Sequence, residues 1–236
     1  MFFVCSDPHF GQKNILLPKY GNRGQSFSTI EEHDYVIKET WNKTVGPTDT
    51  VICTGDWCFA PWRYGIEIWN SLNGKKEFVP GNHDDQFLKK LKVHGVDTII
   101  HERLITRYYD NQKMEISHFP IESWEKMSAG SWHLHGHCHD NLHTMSRNKR
   151  LDIGFDSAKR LLGEYRPFSF DEIKKIMDAR PRLSGSDHHV AKGEMMSDEA
   201  FKKEFDGQMR MFIRDGDRIN FGRMEGLKDA ARILIS

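Results

Sequence analysis

Side chains that bind divalent metal ions recur in five short clusters along this chain. The clusters are Asp7-Pro8-His9, Gly55-Asp56, Gly81-Asn82-His83-Asp84, His118 and Gly136-His137-Cys138-His139. Imidazole mixed with carboxylate and amide oxygen suits manganese, iron, zinc or nickel, whereas an all-oxygen set would favour calcium or magnesium. A pair of such ions can lower the pKa of a bridging water and hold phosphoryl oxygens during in-line attack. The residue types therefore predict a hydrolytic site with two metal ions.

Each cluster taken alone also has a plain structural explanation. Asp7 could cap a turn before Pro8, and the segment Asn82-His83-Asp84 could cap the helix predicted after it. Separate explanations for seven ligand-type residues in order are weaker than one shared site. The sequence therefore favours convergence of the clusters in the folded chain.

Every cluster directly follows an apolar segment that predicts a β-strand. These strands are predicted at residues 2–5, 50–53, 77–79, 113–117 and 132–135. Functional groups collect at the carboxyl ends of strands in open α/β sheets, so five strands could deliver their ligands to one edge. Further strands are predicted at residues 98–104, 105–109 and 151–155, and helices at residues 30–45, 64–72, 85–94 and 171–178. Thr29 is the predicted N-cap of the first of these helices, with Glu32 three residues later, and His33 on its apolar side is predicted to pack rather than to bind metal.

The chain divides near residue 179 into two predicted parts. Residues 1–178 carry all the clusters, and a segment with linker character follows them. Residues 179–236 form a predicted C-terminal extension that is partly helical. The extension carries an apolar helix face made of Phe201, Phe205, Met209 and Phe212. This face could pack on the first part, form a contact between two copies of the chain, or cover the pocket.

Composition limits the partners and the location of the protein. The 236 residues include 34 basic and 34 acidic side chains, so the formal net charge is zero. A neutral chain has no general attraction to nucleic acid or to anionic membranes, although a local basic groove stays open as an alternative. No apolar run approaches the ~20 residues that span a bilayer, and no secretion signal is evident. We therefore expect a cytoplasmic protein with reduced cysteines and no membrane partner.

The five clusters in their order, D-x-H, G-D, G-N-H-D, H and G-H-x-H, resemble the calcineurin-like metallophosphoesterases. The small bacterial and phage-type members are the most similar, and the likeness extends over roughly residues 1–178. It implies an α/β (α+β) fold, a four-layer sandwich of two mixed β-sheets flanked by helices. It also implies two divalent metal ions, with manganese expected first and iron, zinc or nickel as alternatives.

The resemblance also implies a role for each matching residue. The ligands of one ion would be Asp7, His9, Asp56 and His139. The ligands of the other would be Asp56, Asn82, His118 and His137, so that Asp56 bridges the two ions. His83 matches the histidine that contacts the phosphate and acts as the general acid toward the leaving oxygen. Asp84 stands where the protein-serine/threonine-phosphatase branch has glutamate, which argues against that branch and leaves the carboxylate that orients His83 open.

Three functions are consistent with these residues. The first is hydrolysis of phosphate mono- or diesters by metal-activated hydroxide, with a small or nucleotide-like ester as substrate. The second is a nuclease of the same family, which the zero net charge does not favour. The third is a non-catalytic metal-binding scaffold, which the intact ligand set and His83 argue against. A homo-oligomer formed through the extension is a further alternative.

Substrate contacts are not assigned by the sequence. Candidate phosphate clamps are Arg23, Arg63, Arg103 and Arg107, although a solvated surface charge is the favoured explanation for each. Candidate stacking surfaces for a nucleobase are Trp57, Trp62 and Tyr64, which core or rim packing explains about as well.

Overall fold

Two mixed β-sheets form the centre of the protein, which is described by a computed structural model over residues 1–142 and 148–180. The strands are β1 Phe2–Cys5, β2 Thr50–Cys53, β3 Lys75–Phe78, β4 Ile99–Ile100, β5 Leu104–Tyr109, β6 Gln112–Ser117, β7 Trp132–His135, β8 Arg150–Asp152 and β9 Phe168–Ser169. The helices are α1 Arg23–Ser26, α2 Ile30–Thr44, α3 Trp62–Ser71, α4 Asp85–Val93, α5 Phe155–Leu162 and α6 Phe170–Asp178. Two 3-10 turns, Lys13–Leu16 and Pro18–Tyr20, precede α1.

The first sheet has the strand order β4-β3-β2-β1-β9. Strands β1 to β4 are parallel, and β9 pairs with β1 in the antiparallel direction. Helices α2, α3 and α4 make the crossovers between successive parallel strands. The carboxyl ends of β1, β2 and β3 therefore lie together at one edge.

The second sheet has the strand order β5-β6-β7-β8. Strands β5 and β6 form an antiparallel hairpin, whose turn residues Asp110 and Asn111 both have positive φ, as tight hairpin turns require. Strands β6, β7 and β8 are parallel, so the carboxyl ends of β6 and β7 also share one edge.

Alternating side chains of the first sheet face two separate cores. Phe3 and Cys5 of β1 pack with apolar residues of α2, α3 and α4, among them Trp41, Trp69 and Leu91. Their neighbours in the strand face the other way, into a core built from both sheets and from α5 and α6. That core includes Phe2, Val4, Ile52, Ile116, Leu134, Leu151 and Ile173. The predicted layers, two mixed sheets with flanking helices, are confirmed.

Most predicted elements are confirmed, and the differences have local causes. Thr29 caps α2 as predicted, since its side chain accepts a hydrogen bond from the Glu32 N–H. Of the strand predicted at residues 98–104, only β4 forms in the first sheet, and Leu104 already begins β5 of the second sheet. Between the two strands, the Arg103 guanidinium donates to the Gly81 carbonyl and to Asp85. The strand predicted at residues 151–155 ends at Asp152, where the Asp152 carboxylate accepts from the Gly154 N–H and helix α5 begins.

The predicted extension, residues 179–236, lies outside the described residues apart from its first two positions. Its helix, its apolar face and the oligomer that it could form stay predictions. No described helix has the length and apolar character needed to cross a membrane.

Candidate metal centre

The loops that follow β1, β2, β6 and β7 are held together by backbone hydrogen bonds. The Asp7 N–H donates to the Gly55 carbonyl at 3.0 Å, and the His9 N–H donates to the Asp56 carbonyl at 3.1 Å. The Gly136 N–H donates to the His118 carbonyl at 2.9 Å. The His137 N–H then donates to Asp7 Oδ2 at 2.8 Å, which links the two sheets. Four of the five predicted clusters are thus joined directly.

Five of the predicted ligands have a left-handed backbone conformation. They are Asp7, His9, Asp56, His137 and His139, with φ between 46° and 68°. Only nine non-glycine residues in the described ranges have positive φ, so these five form a concentration at one place. Such a conformation costs up to about 1–3 kcal/mol for each residue and persists where surrounding contacts impose it, often at functional sites.

Two glycines allow the loops to approach the candidate ligands closely. A Cβ on Gly136 would lie 1.9 Å from Ser6 Oγ and 2.3 Å from Asp7 Oδ2. A Cβ on Gly81 would lie 2.6 Å from Asp56 Oδ1. Any side chain at these two positions would therefore displace one of the two carboxylates.

The first group of candidate ligand atoms belongs to Asp7, His9 and His139, which offer atoms within 4.8 Å of one another. His9 Nδ1 contacts the Gln12 side chain, so Nε2 is the free nitrogen. It lies 3.7 Å from Asp7 Oδ1, and both atoms are buried without a hydrogen-bond partner. Buried polar atoms without a partner are costly, and a cation between them would satisfy both. This part of the site fits a metal ion.

The second group consists of Asp7, Asp56 and His118, which also offer atoms within 4.8 Å of one another. His118 Nδ1 lies 2.7 Å from the Thr54 carbonyl and must donate its proton there, because a carbonyl only accepts. The other ring nitrogen, Nε2, lies 2.9 Å from Asn82 Oδ1. With the proton held at Nδ1, Nε2 and the Asn82 amide oxygen would both be available as lone-pair donors to a shared cation.

The charge states of His9 and Asp7 also suit metal binding. Burial lowers the pKa of His9, which keeps its imidazole neutral and able to donate a lone pair. Burial alone would raise the pKa of Asp7, but His9, His139 and His118 lower it well below its usual range. A neutral imidazole therefore lies beside an ionised carboxylate.

His137 and His83 are placed differently from the other predicted residues. The imidazole of His137 is exposed and packs on His118 and Phe119, with ring centroids 5.1 and 4.6 Å away. His83 donates its backbone N–H to Asp56 Oδ1 at 3.2 Å, and its exposed imidazole lies 5.0 Å from the Phe59 ring. Neither imidazole belongs to either ligand group in the described part of the chain. Their predicted roles, metal ligand and general acid, stay predictions.

Asp84 orders the backbone of the site, and its carboxylate is not bound to His83. Its two oxygens accept the N–H groups of Asp56 at 2.7 Å, Trp57 at 3.0 Å and Gly81 at 2.8 Å. The side chain is buried, which raises its pKa. Asp84 therefore fixes the loop after β2 against the loop after β3, a role that the sequence left open.

Arg23 is a buried structural residue and not one of the phosphate clamps that the sequence allowed. It is 1% exposed, and its guanidinium donates to the Asp7 carbonyl at 2.7 Å and to the Pro8 carbonyl at 2.9 Å. It also forms a two-pronged ion pair with Asp156, at 3.0 and 2.8 Å. Asp156 in turn lies 2.8 Å from His139 Nδ1.

The contacts of Arg23 and Asp156 hold two predicted ligands, Asp7 and His139, in place. Burial alone would raise the pKa of Asp156, but Arg23 and His139 lower it well below its usual range. The ionised Asp156 can only accept, so His139 donates from Nδ1 and its Nε2 is left for another partner. His33, predicted as a packing histidine, is buried beside Arg23 and bonded to Asp34.

Replacing Arg23 by methionine is expected to lower the free energy of unfolding by about 3–5 kcal/mol, because Asp156 would be left buried without its cation. Urea unfolding followed by circular dichroism measures the change. Arg63→Met is the matched control, since that arginine is exposed over the Trp62 ring and should cost no more than about 1 kcal/mol. Equal losses in the two variants would contradict the structural role of Arg23.

Comparison with known proteins identifies the family. The family model described as calcineurin-like phosphoesterase matches residues 1–209. An uncharacterized protein of Methanocaldococcus jannaschii, MJ1445, is 29% identical over 181 residues, which are 75% of this chain and 90% of that protein. The Gene 66 protein of Mycobacterium phage L5 is 25% identical, over 75% of this chain and 93% of its own length.

One solved structure adds support for the fold alone. A protein of unknown function from Aquifex aeolicus, AQ665, superimposes with a TM-score of 0.56 at 23% identity. The alignment covers 75% of this chain and 98% of that one. Membership of the calcineurin-like phosphoesterases implies metal-dependent hydrolysis of phosphate esters. The family match, together with the arrangement of sheets and loops, shows that the chain belongs to this family.

Proposed function

We propose that this protein hydrolyses phosphate mono- or diesters at a site that holds two divalent metal ions. The observation that carries the proposal is the pair of ligand groups, Asp7–His9–His139 and Asp7–Asp56–His118, together with the buried Asp7 Oδ1 and His9 Nε2 atoms that have no hydrogen-bond partner. Two bound ions would lower the pKa of a water shared between them and stabilise negative charge on the phosphoryl oxygens. Manganese is the metal we propose first, with iron, zinc or nickel as alternatives.

Asp56 is the residue we propose to serve both ions. Its Oδ2 lies 3.9 Å from His9 Nε2, and its Oδ1 lies 3.7 Å from His118 Nε2. The two oxygens of one carboxylate therefore face the two ligand groups. Asp7, His9 and His139 would complete the first set, and Asn82, His118 and His137 would complete the second.

His83 is the residue we propose as the proton donor to the leaving oxygen. Within the described part of the chain its imidazole makes no hydrogen bond and is exposed, so it is free to approach a substrate. Its backbone N–H is bound to Asp56 Oδ1, which places it next to the ligand groups. Imidazole is suited to proton transfer near neutral pH.

Hydrolysis of p-nitrophenyl phosphate and bis-p-nitrophenyl phosphate tests the proposal. We expect the full-length protein, stripped of metal by a chelator, to be inactive and to regain activity when manganese is added. A second panel of a 2′,3′-cyclic nucleotide and single-stranded DNA would show which esters are preferred. A protein that retains manganese but hydrolyses none of these esters would contradict the proposal and favour the scaffold.

A further inference from the structure

A cleft of about 540 Å³ opens directly beside His83. The loop after β2 and the helices α3 and α4 form its walls. Its lining includes Phe59, Trp62, Asp85, Gln86 and Lys90 together with His83. This volume lies within the range of roughly 300–1,000 Å³ that small-molecule sites occupy.

Phe59 connects the candidate metal centre to the cleft. Its ring stacks on His9 at 4.8 Å, with the two planes 8° apart, and lies 5.0 Å from the His83 ring. The side chain is nevertheless 36% exposed. The Phe59 ring therefore forms an aromatic wall that contacts both the predicted metal ligand His9 and the predicted proton donor His83.

The outer part of the cleft is aromatic and carries charges of both signs, since Lys90 and Asp85 both line it. The Trp62 ring stacks on His94 at 4.4 Å, which holds the indole in place. The Arg63 guanidinium and the Lys90 ammonium lie 4.7 and 5.3 Å from the centre of that ring. Gln86, which is exposed, adds an amide that can both donate and accept hydrogen bonds.

We infer that this cleft, the leaving-group cleft, binds a nucleoside as the alcohol that departs when the ester is cleaved. The inference rests on the proposed function, in which His83 protonates the leaving oxygen. That oxygen must come within hydrogen-bond reach of the imidazole, so the group attached to it occupies the space beside His83. Water attacks phosphorus, forms a new phosphorus–oxygen bond and gives up a proton to the solvent. The bond between phosphorus and the leaving oxygen breaks, and the leaving oxygen takes the His83 proton.

The chemistry of the walls selects a nucleoside over a simple alcohol. A flat base can stack on Phe59, and its ring nitrogens and exocyclic groups can pair with Gln86 and Lys90. An aliphatic alcohol would use neither feature, and a phenol would use only the stacking surface. Loss of one aromatic stacking partner weakens binding of a base by roughly 5- to 150-fold.

Calorimetric titration of adenosine into the full-length protein tests the cleft without any reaction. We expect the wild type to bind adenosine, and Phe59→Ala to weaken this binding by about 10-fold. Gln86→Ala, a change at an exposed helix position, should weaken it as well. Phe119→Ala is the matched control, because Phe119 is 42% exposed and packs on His118 and His137 but does not line the cleft. It should change adenosine affinity less than 2-fold.

Inhibition of p-nitrophenyl ester hydrolysis by adenosine completes the test. Competitive inhibition that Phe59→Ala weakens and Phe119→Ala preserves would support the inference. Active enzyme that neither binds adenosine nor is inhibited by it would overturn the inference and leave the proposed function intact. The inference would also be overturned if Phe59→Ala bound adenosine as well as the wild type, or if phenol bound as tightly as adenosine. Adenosine binding by a protein that hydrolyses no ester would contradict the proposed function, and the leaving-group assignment with it.

Discussion

Asp56→Asn is expected to reduce kcat/KM for bis-p-nitrophenyl phosphate by more than ~100-fold. The carboxylate faces both ligand groups, with Oδ2 3.9 Å from His9 Nε2 and Oδ1 3.7 Å from His118 Nε2. The amide has almost the same shape, but it lacks the negative charge and presents only one acceptor oxygen. Removing residues that merely orient a metal ligand already costs 10–100-fold, so loss of a shared ligand should cost more.

Asp97→Asn is the control for this variant, because Asp97 is exposed and is not one of the predicted site residues. Steady-state kinetics in saturating manganese compare the two variants with the wild type, and thermal unfolding checks that both are folded. Activity of Asp56→Asn within 10-fold of the wild type would contradict the bridging role.

His83→Ala is expected to keep the metal ions and to slow hydrolysis by ~100-fold or more, because general acid catalysis contributes about 10²–10⁴-fold. The size of the loss should depend on the leaving group. An alkoxide needs a proton as it leaves, whereas p-nitrophenolate departs readily without one. The loss should therefore be larger for a nucleotide ester than for the p-nitrophenyl ester.

Two measurements on His83→Ala, its metal content and its activity on two substrates, distinguish general acid catalysis by His83 from a structural role. His83→Ala protein that loses its metal ions would show that His83 acts as a ligand. An equal loss of activity with both leaving groups would also contradict the general-acid role, since a misplaced substrate slows both reactions alike.

The sequence predicted the parts of the site that depend on local pattern. Asp7, Asp56 and His118 each follow a strand by at most three residues, and apolar strands are readily recognised from composition. Because parallel strands of one sheet end at a common edge, recognising the strands was enough to predict that Asp7 and Asp56 meet. His118 follows β6 of the other sheet, and its contact with the Thr54 carbonyl depends on how the two sheets pack. The capping residue Thr29 was predicted from local pattern as well, since its partner Glu32 is three residues away.

The parts that the sequence did not predict depend on contacts between distant residues. Arg23 and Asp156 are 133 positions apart, and neither lies in a motif with a fixed spacing to the other. Asp84 is next to His83 in sequence, yet its carboxylate binds backbone amides of another loop. Asp7 and His139 also have left-handed backbone conformations, which have no signature in composition.

Counting the metal ions bound by the full-length protein tests the two-metal proposal most directly. The protein would be stripped with a chelator, dialysed to equilibrium against manganese and analysed by inductively coupled plasma mass spectrometry. We expect two manganese ions per chain in the wild type and fewer in Asp56→Asn. A wild-type chain that binds one ion or none at manganese concentrations that saturate the protein would contradict the proposal.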